Sequence, residues 1–368
     1  MGGAIMILRK KLPSVMRGLS MVELMVAMTI GLAILASVSA VFVNSKSNYV
    51  SQESNSRLQE TARFATYFLM RDLRLAGYYG CLDDISSVNS RLAGSPTRFN
   101  PVNPIEGNRA GTALWYPSGD ATDFTTTGTA VTALAADCPN NVGGRCTGSD
   151  AVTVRFADPD TLTTLSSSTV GTGGAVNVTS TSNYSTGNVI VIADCSNADI
   201  AQITGIAGNA ISHAGSSGTP GNTDANLSHV YSAQPSGSTD VMRYSVHRYY
   251  IGTGKSGHPA LFRQNVVGSS GASASILTEE MVEGVEKMQV LYGLDTDALS
   301  DRNPNAYLQP DHASLAASSA RWGNVVSARL VLTVRPIADP NVNQSSTTTV
   351  TGVTPKTFAT TVVLRNLQ

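Results

Sequence analysis

Hydrophobic positions change their period along the chain. From Leu24 to Val43 they run on for about 20 residues without a charge, enough for a helix to cross a bilayer. From Leu58 onward they recur at helical spacing. Leu58, Ala62, Ala65, Leu69, Leu73 and Ala76 make one apolar stripe, flanked by Arg57, Glu60, Arg63, Arg71, Asp72 and Arg74. Gly77 follows as a C-cap. Together the two stretches predict one long helix over 19–76, with its membrane-spanning part at about 24–43. Its weakest point is Asn44–Ser51, where Asn44, Ser45, Ser47 and Asn48 would part it into two helices.

Beyond Gly77 the period falls to two. Val152, Val154 and Phe156 alternate with polar neighbours, as do Met288, Val290, Tyr292 and Leu294. Val326, Ala328, Leu330, Leu332 and Val334 make the cleanest run, and Phe358, Thr360, Val362 and Leu364 another. These patterns predict strands with one buried face. Asn188–Cys195 and Ala201–Gly205 read as two more strands around a short turn. Val241–Ile251 and Pro259–Val267 read as a hairpin across Gly252–Gly257. Thr278–Val285 reads as a short helix. Residues 86–148, 160–186 and 214–240 are rich in Ser, Thr, Gly, Asn and Pro and read as long loops with short strands. The expected fold is α+β: a long N-terminal helix packed on a mostly antiparallel sheet head, 77–368.

Charge sharpens this picture. Only 14% of residues are charged and the formal net charge is −1, so no general nucleic-acid binder is indicated. A mean hydropathy of zero excludes a polytopic membrane protein. Residues 1–18 carry Arg9, Lys10, Lys11 and Arg17 and no acid. A basic cluster ahead of the span places that end in the cytoplasm and the head outside it. An ordinary secretory signal fits poorly. The apolar run exceeds a usual signal core, and no clear A-x-A-like cleavage site closes it, although Ala36, Ser37, Ser39 and Ala40 are small. A plain single-pass anchor leaves Glu23 unexplained, because a carboxylate at the start of an apolar run is costly without a partner.

Arg17-Gly18-Leu19-Ser20-Met21-Val22-Glu23 resembles the prepilin cleavage motif of type IV pilins and type II secretion pseudopilins. The resemblance implies a cytoplasmic leader, 1–18, removed by a prepilin peptidase between Gly18 and Leu19. It also implies N-methylation of the new terminus at Leu19 and an acid, Glu23, at the fifth mature position. Leucine stands where phenylalanine is commoner. A new ammonium on Leu19 and the Glu23 carboxylate are each expensive alone in low dielectric and attract strongly as a pair. Between subunits, such a pair would set the register of a growing filament.

The head offers four cysteines, at positions 81, 138, 146 and 195, all after the span. An even count in an exported domain suggests disulfides, and four cysteines allow three pairings. Cys138 and Cys146 enclose a Pro-Asn-Asn-Val-Gly-Gly-Arg turn that favours local pairing, which leaves Cys81 with Cys195. No close Cys-x-x-Cys or His-rich spacing supports a metal site instead.

Other chemistry is weak. Gly252-Thr-Gly-Lys-Ser256 resembles the end of a phosphate-binding loop, but Tyr249 stands where the first glycine belongs. Asp295, Asp297 and Asp301 are weak calcium candidates. An EF-hand reading fails at Leu299, Ser300 and Ala306. The histidines at 213, 229, 247, 258 and 312 are scattered, and no Gly-x-Ser-x-Gly elbow occurs. Neither an enzyme nor a cofactor is expected.

Gly77-Tyr-Tyr-Gly-Cys81, Ala193-Asp-Cys195, the segment Val282–Asp297 and Trp322-Gly-Asn-Val-Val326 together resemble the PilW family of type IV pilus minor pilins. That family is itself similar to the J pseudopilins of type II secretion. The resemblance implies a low-copy structural subunit that primes pilus assembly and caps the fibre. Its partners would be other minor pilins, the major pilin, the inner-membrane assembly platform and the prepilin peptidase. It would sit in the inner membrane, N-terminus cytoplasmic and head periplasmic, before entering the pilus. A J-type pseudopilin is the nearer alternative, and a membrane-anchored periplasmic binding module or enzyme the more distant one.

Overall fold

One helix, α1, runs from Met21 to Leu75 in the computed structural model. The model describes Gly18 and residues 20–93, 97–109, 126–128, 141–142, 145–146, 149–215, 218–268, 273–297, 301–316, 319–337 and 354–364. The polar stretch at Asn44–Ser51 stays helical. Nucleating a helix is costly but extending one is cheap, so a few Asn and Ser residues do not end it. The chain divides into two compact units between Glu53 and Ser54.

In the second unit, α1 buries Ser54, Leu58, Ala62, Ala65, Leu69, Asp72 and Leu73, and Ala76 beyond it is buried too. Every member of the apolar stripe read from the sequence is therefore in the core. Asp72 is the charged residue of the buried face. Gly77 adopts φ +72°, the left-handed C-cap position that a side chain would strain. Its N–H donates to the Arg155 carbonyl, and the Ala157 N–H donates to the Tyr78 carbonyl. The helix exit is thereby tied to a strand.

The larger sheet is built on Asp240–Thr253. On one side this strand pairs along its length with Asp150–Thr164, antiparallel. On the other it pairs first with Val189–Ala193 and then with Pro259–Gly268, both antiparallel. Val189–Ala193 turns back as Ala198–Gln202. Pro259–Gly268 pairs with Ala274–Glu283. Parallel pairing is confined, among the described residues, to the short strands Val88–Ser90 and Thr126–Gly128. A second sheet orders Ala306–Leu308, Val285–Leu294, Val325–Val334 and Lys356–Val363, all antiparallel. Ala65, Leu69 and Leu73 share one core with Val154, Phe156 and Tyr249 of the larger sheet and Met288, Val290 and Leu330 of the smaller. The fold is α+β, as the periodicities predict.

Two expectations fail. Thr278–Val285 is no helix: residues to Glu283 belong to the strand Ala274–Glu283. Glu, Met and Thr there leave local propensity indecisive, and pairing decides. Gln264 faces Thr278 in the ladder, Arg263 faces Glu279, and the latter two form an ion pair at 2.8 Å. Gly284, at φ +89°, ends the strand before Val285. The supposed loop 160–186 begins as strand up to Thr164.

The polar stretches also carry more core than their composition suggests. Leu165, Val176, Val178, Tyr184, Leu227 and Tyr231 pack with Ile190, Ile192 and Val241. Buried polar side chains organise the chain around them. The Asp199 carboxylate, fully buried, accepts from Arg91 Nε at 2.9 Å, from the Ser228 hydroxyl at 2.7 Å and from the Tyr231 hydroxyl at 2.9 Å. Gln202 and Asn222 exchange side-chain-to-backbone bonds: Asn222 Oδ1 accepts the Gln202 N–H at 2.7 Å and Asn222 Nδ2 donates to the Gln202 carbonyl at 2.9 Å.

Candidate assembly and processing site

The amino-terminal end of α1 is built from few residues. The first intrahelical bond runs from the Leu24 N–H to the Ser20 carbonyl at 3.0 Å, so Ser20 occupies the N-cap position. Glu23 then stands in the first turn. Ser20-x-x-Glu23 has the spacing of a capping box, a signal legible in the sequence. The positive end of the helix dipole also favours a carboxylate there. Gly18, Ser20 and Glu23 are exposed, while Leu19 lies outside the described residues.

From Met21 to Val43 the helix presents apolar side chains outward all round: Met25 is 65% exposed and Phe42 70%. The helix is long and apolar enough to cross a membrane, and none of its most hydrophobic window is buried within the chain. So large an apolar surface calls for lipid or other apolar helices around it.

The helix exit is held by covalent and polar contacts. Cys81 and Cys195 form a disulfide, with 4.9 Å between their Cα atoms. Both cysteines are exposed. Cys138 and the side chain of Cys146 lie outside the described residues, so their expected pairing falls there. Two residues before Cys81, Tyr79 stacks on Tyr244 with ring centroids 6.1 Å apart. Burial pushes the Tyr244 hydroxyl up to about 12.

A buried cluster that sequence reasoning missed joins α1 to the larger sheet. Asp72 Oδ2 accepts from His247 Nδ1 at 2.5 Å and from the Tyr249 hydroxyl at 2.6 Å. Burial alone would raise the Asp72 carboxyl. The hydrogen bond and charge of His247, then Tyr249 and Arg263, outweigh it and hold the group below its ordinary value. Burial first, and the Asp72 charge second, push the Tyr249 hydroxyl well up. Phe156 meets the His247 ring edge-on at 5.2 Å. Asp72 reads on paper as part of the charged flank of the helix, so only the pairing of helix with strand reveals it.

The other candidate chemistry is placed as follows. Gly252-Thr-Gly-Lys-Ser256 spans the end of a strand and the turn of the hairpin. The Lys255 N–H donates to Glu280 Oε2 at 2.9 Å, and the Ser256 hydroxyl donates to Glu283. These two donors of the turn are thus taken by carboxylates. The Asp295, Asp297 and Asp301 carboxylates come within 4.8 Å of one another. Asp295 accepts the N–H groups of Asp297 at 3.1 Å and Arg302 at 2.9 Å. The histidines stay dispersed. His213 meets the Gly174 carbonyl at 3.0 Å, and His229 meets Asp194 at 3.3 Å. A groove of about 580 Å³ lies between α1 and the sheets, walled by Phe64, Phe68, Met281 and Ile337 and edged by Glu60 and Glu283.

Residues 248–367 match the family described as Type IV Pilus-assembly protein W. The matched stretch is about a third of the chain. It contains two of the segments that carry the resemblance seen in the sequence, Val282–Asp297 and Trp322–Val326, and it supports that resemblance. No curated protein and no solved structure matches the chain.

Proposed function

We propose that this chain is a minor pilin of the type IV pilus, a structural subunit that takes part in assembly and not a catalyst. One observation carries the reading: a basic leader and a Gly18-Leu19-x-x-x-Glu23 motif head a 55-residue helix whose apolar first part is uncovered. The match of residues 248–367 to a pilus-assembly family supports it independently.

In this reading the peptidase cuts between Gly18 and Leu19 and methylates Leu19, since a glycine lets the enzyme approach the backbone. Glu23 then pairs with the amino terminus of a neighbouring subunit. Residues from about Leu24 to Val43 lie in the inner membrane before assembly and among other helices after it. With a large head the subunit belongs at low copy in the priming complex and at the fibre tip, among other minor pilins and the major pilin, on the inner-membrane platform. The test is genetic and biochemical. Deleting the gene should strongly reduce surface fibres, and the protein should appear in fibres sheared from the cell. Normal piliation without it, with the protein confined to membranes, would overturn the proposal.

A further inference from the structure

We propose that the buried Asp72–His247–Tyr249 cluster is a register latch: together with the ties at the helix exit it fixes the axial position of α1 on the head, and its own hold on the helix is lost when Asp72 is protonated. The rest of the buried face of α1 is Ser54, Leu58, Ala62, Ala65, Leu69 and Leu73. Apolar contacts are not directional, and small side chains such as Ala62 and Ala65 leave a smooth surface, so a one-turn slip would still bury hydrocarbon. Hydrogen bonds at 2.5 and 2.6 Å to one carboxylate oxygen do not survive such a slip. His247 and Tyr249 lie on the same face of the central strand, one pleat apart, so both donors point at one helical position. A slipped helix would leave the Asp72 charge buried and unpaired, which is costlier than any apolar mismatch.

The groups facing Asp72 settle the sign. His247 and Tyr249 come from the central strand. Arg263, on the neighbouring strand, acts on it electrostatically and is itself paired with Glu279 of the next strand at 2.8 Å. Together they favour the ionised carboxylate, so it is held below its unfolded value. The latch is therefore at full strength above the ordinary carboxylate range, near pH 4, and weakens as pH falls through the lower folded value.

Hydrogen exchange of the full chain in detergent, corrected for the intrinsic pH dependence of exchange, tests this. In the wild type, amides of α1 between Ser54 and Leu75 should lose protection below about pH 4, before those of Val189–Ala193 do. Asp72→Asn should exchange there roughly tenfold or more faster at pH 7 and show no acid step. Should Asp72→Asn fail to fold, Tyr249→Phe keeps the aromatic packing and removes one donor. Its acid step should move to higher pH, because the ionised form loses support. Wild-type protection of α1 in Asp72→Asn at pH 7, or an unmoved step in Tyr249→Phe, would overturn the proposal.

Discussion

Glu23 is claimed by two partners. Within its own helix it stands in the first turn, at the spacing of a capping box from Ser20 and near the positive end of the dipole, a placement worth about 0.3–1 kcal/mol. Across subunits, as proposed, it meets an ammonium, and truncating one partner of a buried pair costs about 3–5 kcal/mol. Glu23→Gln separates them, since glutamine also suits a capping box but carries no charge. The expected outcome is a variant that is inserted and cleaved, yet fails to co-purify with other pilins and leaves few fibres. Normal fibres in that strain would leave Glu23 a purely local role. Cys81–Cys195 closes a span of 114 residues, for which the loop-entropy model gives about 4–5 kcal/mol. Replacing both cysteines by serine should lower the denaturant midpoint of the head accordingly. The corresponding change at Cys138 and Cys146, whose proposed bond would close only a short loop, should cost less.

At the scale of elements, legibility follows periodicity. The helix stripe Leu58–Ala76 and the run Val326–Val334 are readable because each buries one face of a regular element. Leu69 is fully buried and Tyr67 is 61% exposed. Leu69→Ala should therefore cost about 2–5 kcal/mol of head stability and Tyr67→Ala roughly 0.5 or less, measured by thermal unfolding. The strand Ala274–Glu283 is unreadable because its conformation comes from its partners. The Asp199 and Gln202–Asn222 contacts are unreadable for a related reason. Side-chain-to-backbone bonds between segments far apart in sequence leave no period, so Ser/Thr-rich stretches that look like plain loops have a core of their own. The buried Asp72 is hidden by its flank of charges. Asp199→Ala should destabilise the segment carrying Ser228 and Tyr231 by about 3–5 kcal/mol, read as early local hydrogen exchange there.

At the scale of the whole molecule, the unit from Ser54 onward has an ordinary hydrophobic core, while the apolar first part of α1 finds no cover among the described residues. The fold explains how the head is built, and the uncovered helix explains why the chain needs lipid or neighbours. In the proposed function, a leader cut at Gly18–Leu19 is what ties that helix to an assembly pathway, so the processing step is where the account is most exposed. Mass spectrometry of the amino terminus, on protein extracted from membranes of cells with and without prepilin peptidase, tests it most directly. The expected result is N-methyl-leucine at Leu19 when the peptidase is present, and the uncut leader when it is absent or when Gly18 is changed to Val. A terminus upstream of Gly18 in peptidase-positive cells, or a cut near Ala40, would contradict the account.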